Sequence, residues 1–82
     1  MLQVEDVHIY VIHNLDNLSF TPDPGKIDVV VYGHTHRYKQ YYENGVLYIN
    51  PGSVSEPRGG QYPHMYILEI EGKKIYTKNI DI

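Results

Sequence analysis

The stretch that most constrains the fold of this chain runs from residue 27 to residue 36 and has the sequence IDVVVYGHTH. Three valines follow Asp28, and a short apolar run rich in β-branched residues is typical of a strand buried on both faces. The run breaks at Gly33, a residue type that tolerates backbone angles that others avoid. The sequence therefore predicts a central strand that ends in a turn bearing His34 and His36.

The position of these histidines after a buried strand favours a metal site. Ligands in open α/β sheets bind outside the carboxyl ends of strands, and neutral imidazole is the commonest side-chain metal ligand. A second predicted strand, Val4 to Ile12, is likewise followed by a histidine, His13. Taken singly, each histidine is better explained as a loop residue at the end of a strand. Their shared position is what favours metal binding.

Composition limits the classes of protein to which the chain can belong. Its 82 residues suffice for one small domain, and the absence of cysteine excludes disulfides and thiolate zinc sites. A net charge of −3 without a basic run argues against a general nucleic-acid or anionic-membrane binder. No membrane-length apolar segment or signal-peptide pattern is present, so we expect a soluble, cytoplasmic protein.

The rest of the chain is predicted to be mostly β, without a helix longer than about two turns. Residues 14–18 form a loop, and Thr21 caps a single helical turn that begins at Pro22. Asn44 and Gly45 form a hairpin turn, because both residue types accept positive φ angles. Four further strands are predicted, at residues 37–42, 46–49, 65–70 and 74–80.

An irregular, glycine-rich segment follows the fourth strand, from Asn50 to Gly60. Backbone amides in such a segment can form an anion-binding nest, and Arg58 could hold a phosphate by a bidentate contact. A plain tight connection explains the glycines at least as well. Arg58 could equally pair with a carboxylate and fix the loop, which is the role that we favour.

Three elements together resemble one family: YGHTHR at residues 32–37, NG at 44–45 and NPGSVSEPR at 50–58. They resemble the C-terminal part of the calcineurin-like metallophosphoesterases, in particular the small bacterial and archaeal phosphodiesterases related to the retromer scaffold subunit. The family fold is an α/β four-layer sandwich. The resemblance implies that residues 1–82 form its C-terminal half, without the early Asp-x-His, Gly-Asp and Asn-His motifs.

The resemblance also implies a ligand set and a reaction. His13 and His34 would bind one metal ion, and His36 would reach a second. The family site holds two divalent transition-metal ions, for which we favour manganese and leave zinc, nickel and iron open. The implied substrate is a small phosphodiester, and little activity is expected of this chain by itself. Roles in positioning the phosphate or the loop fall to Asn50, Gly52, Ser53 and Arg58.

Three interpretations follow from the resemblance. The chain could be the C-terminal part of a phosphodiesterase that acts only with a partner chain supplying the N-terminal half. It could instead be a protein-interaction or scaffold module, which would associate with itself or another protein through exposed sheet edges. It could also be a remnant that folds without activity, although the intact histidines and turns argue against this.

Overall fold

A computed structural model describes the backbone of residues 1–52 and 64–81. One short 3-10 helix, Leu15–Asn17, is present among strands, which confirms the prediction of a mostly β chain. In this part of the chain no helix has the length and apolar character needed to span a membrane. The strands are β1 (Leu2–Val4), β2 (Val7–Ile12), β3 (Val29–Tyr32), β4 (Tyr38–Glu43), β5 (Val46–Pro51), β6 (His64–Glu71) and β7 (Lys74–Asp81).

Strand β3 is the centre of a five-stranded sheet with the order β1-β2-β3-β5-β4. It pairs in parallel with β2 on one side and with β5 on the other, while β1 and β4 are antiparallel edge strands. Val29 and Val30 point to opposite faces and are both fully buried. The prediction of a central strand buried on both faces is therefore confirmed.

Each face of the five-stranded sheet carries its own apolar cluster. One face packs against the β6–β7 hairpin, the second, two-stranded sheet. The other face is rich in tyrosine, in keeping with half-buried sheet positions that suit an amphipathic ring. The buried members of the first cluster are Val7, Ile9, Val29, Leu47 and Ile49, and those of the second are Ile27, Val30, Tyr32, Val46 and Tyr48.

The prediction of one first strand, Val4 to Ile12, is wrong, because the chain reverses direction within it. Glu5 adopts a φ of 50°, and β1 folds back so that Leu2 pairs with Ile9 and Val4 with Val7. The signal that was missed is the polar pair Glu5 and Asp6 between two apolar runs, since adjacent polar residues favour a turn.

The predicted helical turn at Thr21 is also absent. The chain instead turns just afterwards, around Asp23, whose carboxylate accepts a hydrogen bond from Gly25 N at 2.8 Å. The Asp23 carbonyl accepts from the backbone N–H groups of Lys26 and Ile27, both at 2.8 Å. An Asp that bonds its own backbone two residues later offers the chain an alternative to helix.

The hairpin turns gather at one end of the two sheets, which we call the amino edge: residues 5–6, 44–45 and 72–73 together with Asp28. The Asn44–Gly45 turn is confirmed, with φ angles of 51° and 79°. Asp28 accepts a hydrogen bond from His8 N at 2.8 Å and lies 3.6 Å from Lys73 Nζ. The charge of Asp28 therefore links the starts of β2 and β3 to the β6–β7 hairpin.

Candidate functional site

The carboxyl ends of β2, β3 and β5, with residues 33–36, form the opposite end of the sheet, which we call the carboxyl edge. Ile12 and Tyr32 are the last paired residues of β2 and β3. One further backbone hydrogen bond continues the ladder, from Gly33 N to His13 O at 2.9 Å. This bond brings the residues after both strands side by side, as parallel pairing requires.

The rings of His13 and His34 meet at this edge. Their centroids are 5.4 Å apart and their planes lie at 79° to each other. Both residues are exposed to solvent. The structure therefore brings together the two histidines that were predicted to share one metal ion, although metal ligation itself stays a prediction.

The donor set at the carboxyl edge fits only part of a two-metal site. Two imidazoles suit a first-row transition metal, but catalytic zinc sites carry three protein ligands and an open position. His36 is half-buried and does not join the pair; within residues 1–52 and 64–81 no three His, Asp or Glu side chains form a metal-binding group. These residues alone cannot hold a catalytic metal pair.

The backbone strain of this loop lies in the histidines themselves. His34 has a φ of 74° and His36 a φ of 58°, both in the left-handed region. Such angles cost about 1–3 kcal/mol each and persist only where surrounding structure enforces them, although His tolerates them better than most residues. Gly33, the residue at which the strand breaks, does not use the freedom of glycine, because its φ is not positive and an added Cβ would meet only His13 O at 3.7 Å.

Asn50, near the end of β5, forms hydrogen bonds with the loop of residues 33–36. It is 1% exposed. Its Nδ2 donates to Thr35 Oγ1 at 3.0 Å and, more weakly, to Gly33 O at 3.4 Å. Its Oδ1 accepts from Gly52 N at 3.0 Å. Asn50 therefore bonds the loop after β3 to the backbone after β5, while its predicted role in positioning the phosphate or the loop stays a prediction.

Gly52 allows the backbone after β5 to lie close to Tyr38 in β4. Its φ is 80°, and an added Cβ would lie 3.1 Å from both the Cβ and the N of Tyr38. Any other residue would be strained at this φ, and its Cβ would require Tyr38 of β4 to shift by a few tenths of an ångström. Ser53 and Arg58 lie outside the residues that the structure describes, so their predicted roles stay predictions.

His64, at the start of β6, was not singled out from the sequence. It is 2% exposed, stacks on Tyr38 with centroids 3.9 Å apart, and meets the edge of Tyr66 at 4.7 Å. Its Nδ1 lies 3.0 Å from Pro51 O; because a carbonyl only accepts, Nδ1 carries the proton. His64 joins the two sheets near the carboxyl edge. Its partners are too distant in sequence for spacing to reveal this.

Tyrosine hydroxyls support the end of β3 on the other face. Tyr32, the last residue of β3, shares a hydrogen bond with Tyr41, whose ring stacks on that of Tyr48 with centroids 5.0 Å apart. Burial raises the pKa of Tyr41 to about 12, with the nearby Tyr32 and Glu43 adding to the effect. These phenols are therefore neutral near pH 7 and act as hydrogen-bonding groups.

Comparison with known proteins shows the family to which the chain belongs. Residues 1–73 match the calcineurin-like phosphoesterase superfamily domain. The chain belongs to this superfamily. It is also 52% identical over 33 residues to phosphodiesterase YfcE of Escherichia coli K12, a match that covers 40% of this chain and 18% of that relative.

Solved structures support the same fold. A predicted phosphoesterase from Streptococcus pneumoniae TIGR4 is 28% identical with a TM-score of 0.60, over 67% of this chain and 32% of that one. Vps29 of Entamoeba histolytica, solved in complex with Zn²⁺, is 21% identical with a TM-score of 0.52, over 67% of this chain and 39% of that one. The chain thus spans less than half the length of either, and the predicted fold class and branch are confirmed.

Proposed function

We propose that this chain is the histidine-bearing C-terminal part of a metal-dependent phosphodiesterase. One observation carries the proposal: His13 and His34, at the ends of adjacent parallel strands, bring their rings to 5.4 Å in a member of the phosphoesterase superfamily. The 52% identity to a phosphodiesterase over 33 residues supports a phosphodiester as the substrate class.

The roles of the residues follow from their positions. His13 and His34 would hold one divalent ion and His36 would reach a second, with manganese the favoured metal. When bound, such a pair of ions lowers the pKa of a water and clamps the phosphate for in-line attack. The chain contributes imidazoles at the carboxyl edge, while Asn50 bonds the loop that carries His34 and His36.

Activity requires carboxylates from outside the described residues. The His13–His34 pair has no Asp or Glu completing a three-ligand group among residues 1–52 and 64–81. Bridging carboxylates hold two ions together, so a polypeptide that supplies the family's early Asp motifs is the expected partner. By itself the chain is expected to hydrolyse little or no phosphodiester.

Complementation in trans tests this function. The chain is mixed with an N-terminal segment of the family domain that carries the Asp motifs, and hydrolysis of bis(p-nitrophenyl) phosphate is followed with Mn²⁺. Hydrolysis is expected with the wild-type chain and with His8→Ala, a variant at the amino edge, but not with His34→Ala. A mixture that retains metal ions and hydrolyses nothing would contradict the proposal.

A second function, as a protein-interaction module, is favoured by the exposed apolar side chains beside edge strand β1. Leu2 and Val4 are 59% and 44% exposed, and Val11 on the neighbouring strand is 58% exposed. An unpaired strand edge with apolar side chains promotes association. Light scattering after size exclusion is expected to show a dimer or a complex under this function. A strictly monomeric chain would count against it.

A further inference from the structure

The orientation of the Asn50 amide is determined by its partners. The Gly52 N–H can only donate, so it must face Oδ1, and the Gly33 carbonyl can only accept, so it must face Nδ2. Because the side chain is 1% exposed, water cannot replace these partners. An Asn at this position therefore bonds two segments at once, the residues after β5 and the loop after β3.

Thr35 is the point at which Asn50 reaches the histidine-bearing loop. Thr35 lies between His34 and His36, the two residues with left-handed φ angles. Its Oγ1 accepts from Asn50 Nδ2 at 3.0 Å and from Arg37 N at 3.4 Å, and its own N–H donates to Gly33 O at 2.9 Å. A strained loop relaxes unless something holds it. The bonds from Asn50 to Thr35 and Gly33 cross from the sheet to this loop, while the bonds of Thr35 to Arg37 N and Gly33 O lie within the loop.

We propose that Asn50, acting through the Thr35 hydroxyl, is a positioning residue that holds the loop in the conformation that sets the ring of His34 against His13. It touches neither ring. The consequence for metal affinity rests on the proposed function, since it requires the two histidines to be ligands. The loop geometry itself does not depend on that assignment.

Matched variants at Thr35 separate this role from general stability, because Thr35 is exposed and its replacement leaves the buried clusters intact. Thr35→Val removes the acceptor with little change of shape, and Thr35→Ser restores it. Thr77→Val, in β7, controls for loss of a hydroxyl elsewhere. Asn50→Asp tests the donor directly, with the Thr35 pair remaining informative if that variant fails to fold.

The first measurement uses the metal-free, full 82-residue chain. Nuclear Overhauser contacts between the ring protons of His13 and His34 are expected in the wild type, Thr35→Ser and Thr77→Val, and are expected to be lost in Thr35→Val and in folded Asn50→Asp. Retention of these contacts in Thr35→Val would overturn the proposal. Their loss in both Thr35 variants would also overturn it, because the hydroxyl would then not be the holding group.

Calorimetric titration with Zn²⁺ then measures the consequence for metal binding. Thr35→Val is expected to weaken zinc affinity about 10-fold or more, as for loss of a residue that orients a ligand, while Thr35→Ser binds like the wild type. If the wild type binds no zinc, the proposed function fails, and the ring contacts still decide the positioning role. Unchanged affinity in Thr35→Val beside lost ring contacts would overturn the link to metal binding.

Discussion

The amino edge and the carboxyl edge both contain residues with positive φ, but for different reasons. At the amino edge these residues lie in two-residue hairpin turns, where positive φ angles match the twist of the flanking strands. They are Glu5, Asn44, Gly45 and Gly72. At the carboxyl edge none lies in a hairpin turn. Those residues are His34, His36 and Gly52.

The two edges also differ in what holds them. At the amino edge an exposed lysine, a part-buried aspartate and one backbone hydrogen bond between turns, from Asp6 N to Gly72 O, join the two sheets. At the carboxyl edge a fully buried amide holds a strained loop whose histidines face solvent. A chain keeps strain of this kind where it serves function rather than stability. The contrast supports the proposal that the carboxyl edge is the functional end of the sheet.

The largest expected effect on stability comes from replacing one glycine at each edge by alanine. Gly52→Ala combines a φ of 80° with contacts of 3.1 Å to Tyr38, so it should lower the free energy of unfolding by about 3 kcal/mol. Gly72→Ala at the amino edge has a φ of 62° but meets nothing closer than 3.9 Å, and should cost about 1 kcal/mol. Urea unfolding measures both. Equal losses of unfolding free energy in the two variants would contradict the claim that Gly52 is more crowded than Gly72.

Removing the carboxylate of Asp28 at the amino edge should lower stability without changing zinc affinity. Asp28→Ala removes the acceptor for His8 N at 2.8 Å and should lower the free energy of unfolding by about 1–2 kcal/mol. Zinc affinity should not change, since the starts of the strands lie at the other end of the sheet. A zinc affinity lowered in parallel with stability would show that the two edges are not independent.

Relief of strain at the carboxyl edge should be measurable in the metal-free chain. Glycine accepts the φ of 74° at position 34 without cost, so His34→Gly should be more stable than His34→Ala by about 1 kcal/mol. At Asn44, in a hairpin turn, Asn44→Gly should differ less from the wild type than His34→Gly does, because Asn tolerates the left-handed region better than His. No difference at position 34 would mean that the loop is not strained in solution.

The smallest effect concerns alkaline pH. The pKa of Tyr41 is about 12 in the folded chain against 10 in the unfolded chain, mainly because burial disfavours the phenolate. The folded state thus keeps a proton that the unfolded state loses, and this contribution is complete below pH 10 and disappears as pH rises to 12. Tyr41→Phe should flatten the fall in denaturant midpoint between these pH values. An equal flattening by Tyr42→Phe, at an exposed position, would contradict the assignment.

Local chemistry made parts of this fold predictable from the sequence. The valine run of β3 fixes a strand buried on both faces, and Asn44-Gly45 fixes a hairpin, because each pattern depends on adjacent residues. The pairing of His13 with His34 was implied by the family resemblance, and the parallel pairing of β2 and β3 accounts for it. The reversal at Glu5 was missed although the adjacent polar residues Glu5 and Asp6 favour a turn, because the alternation of side chains on either side also suits one continuous strand.

The structural features that were not predicted from the sequence depend on residues that lie far apart along the chain. His64 is buried by Tyr38 and Pro51, and no spacing rule relates these three residues. Glycine tolerates left-handed angles best, yet the structure places them at His34 and His36 rather than at Gly33, and the hydrogen bonds of Thr35 and Asn50 hold this loop. Tertiary contacts overrode the local preference of glycine at the residues that matter most for the candidate site.

The measurement that tests the central claim most directly is zinc binding by calorimetry to the wild-type chain, His13→Ala, His34→Ala and His8→Ala. If the carboxyl edge is a metal site, the wild type and His8→Ala bind zinc alike, and each of the other two variants loses binding. Equal binding by all four chains, or none by the wild type, would contradict the claim that this edge exists to hold a metal ion.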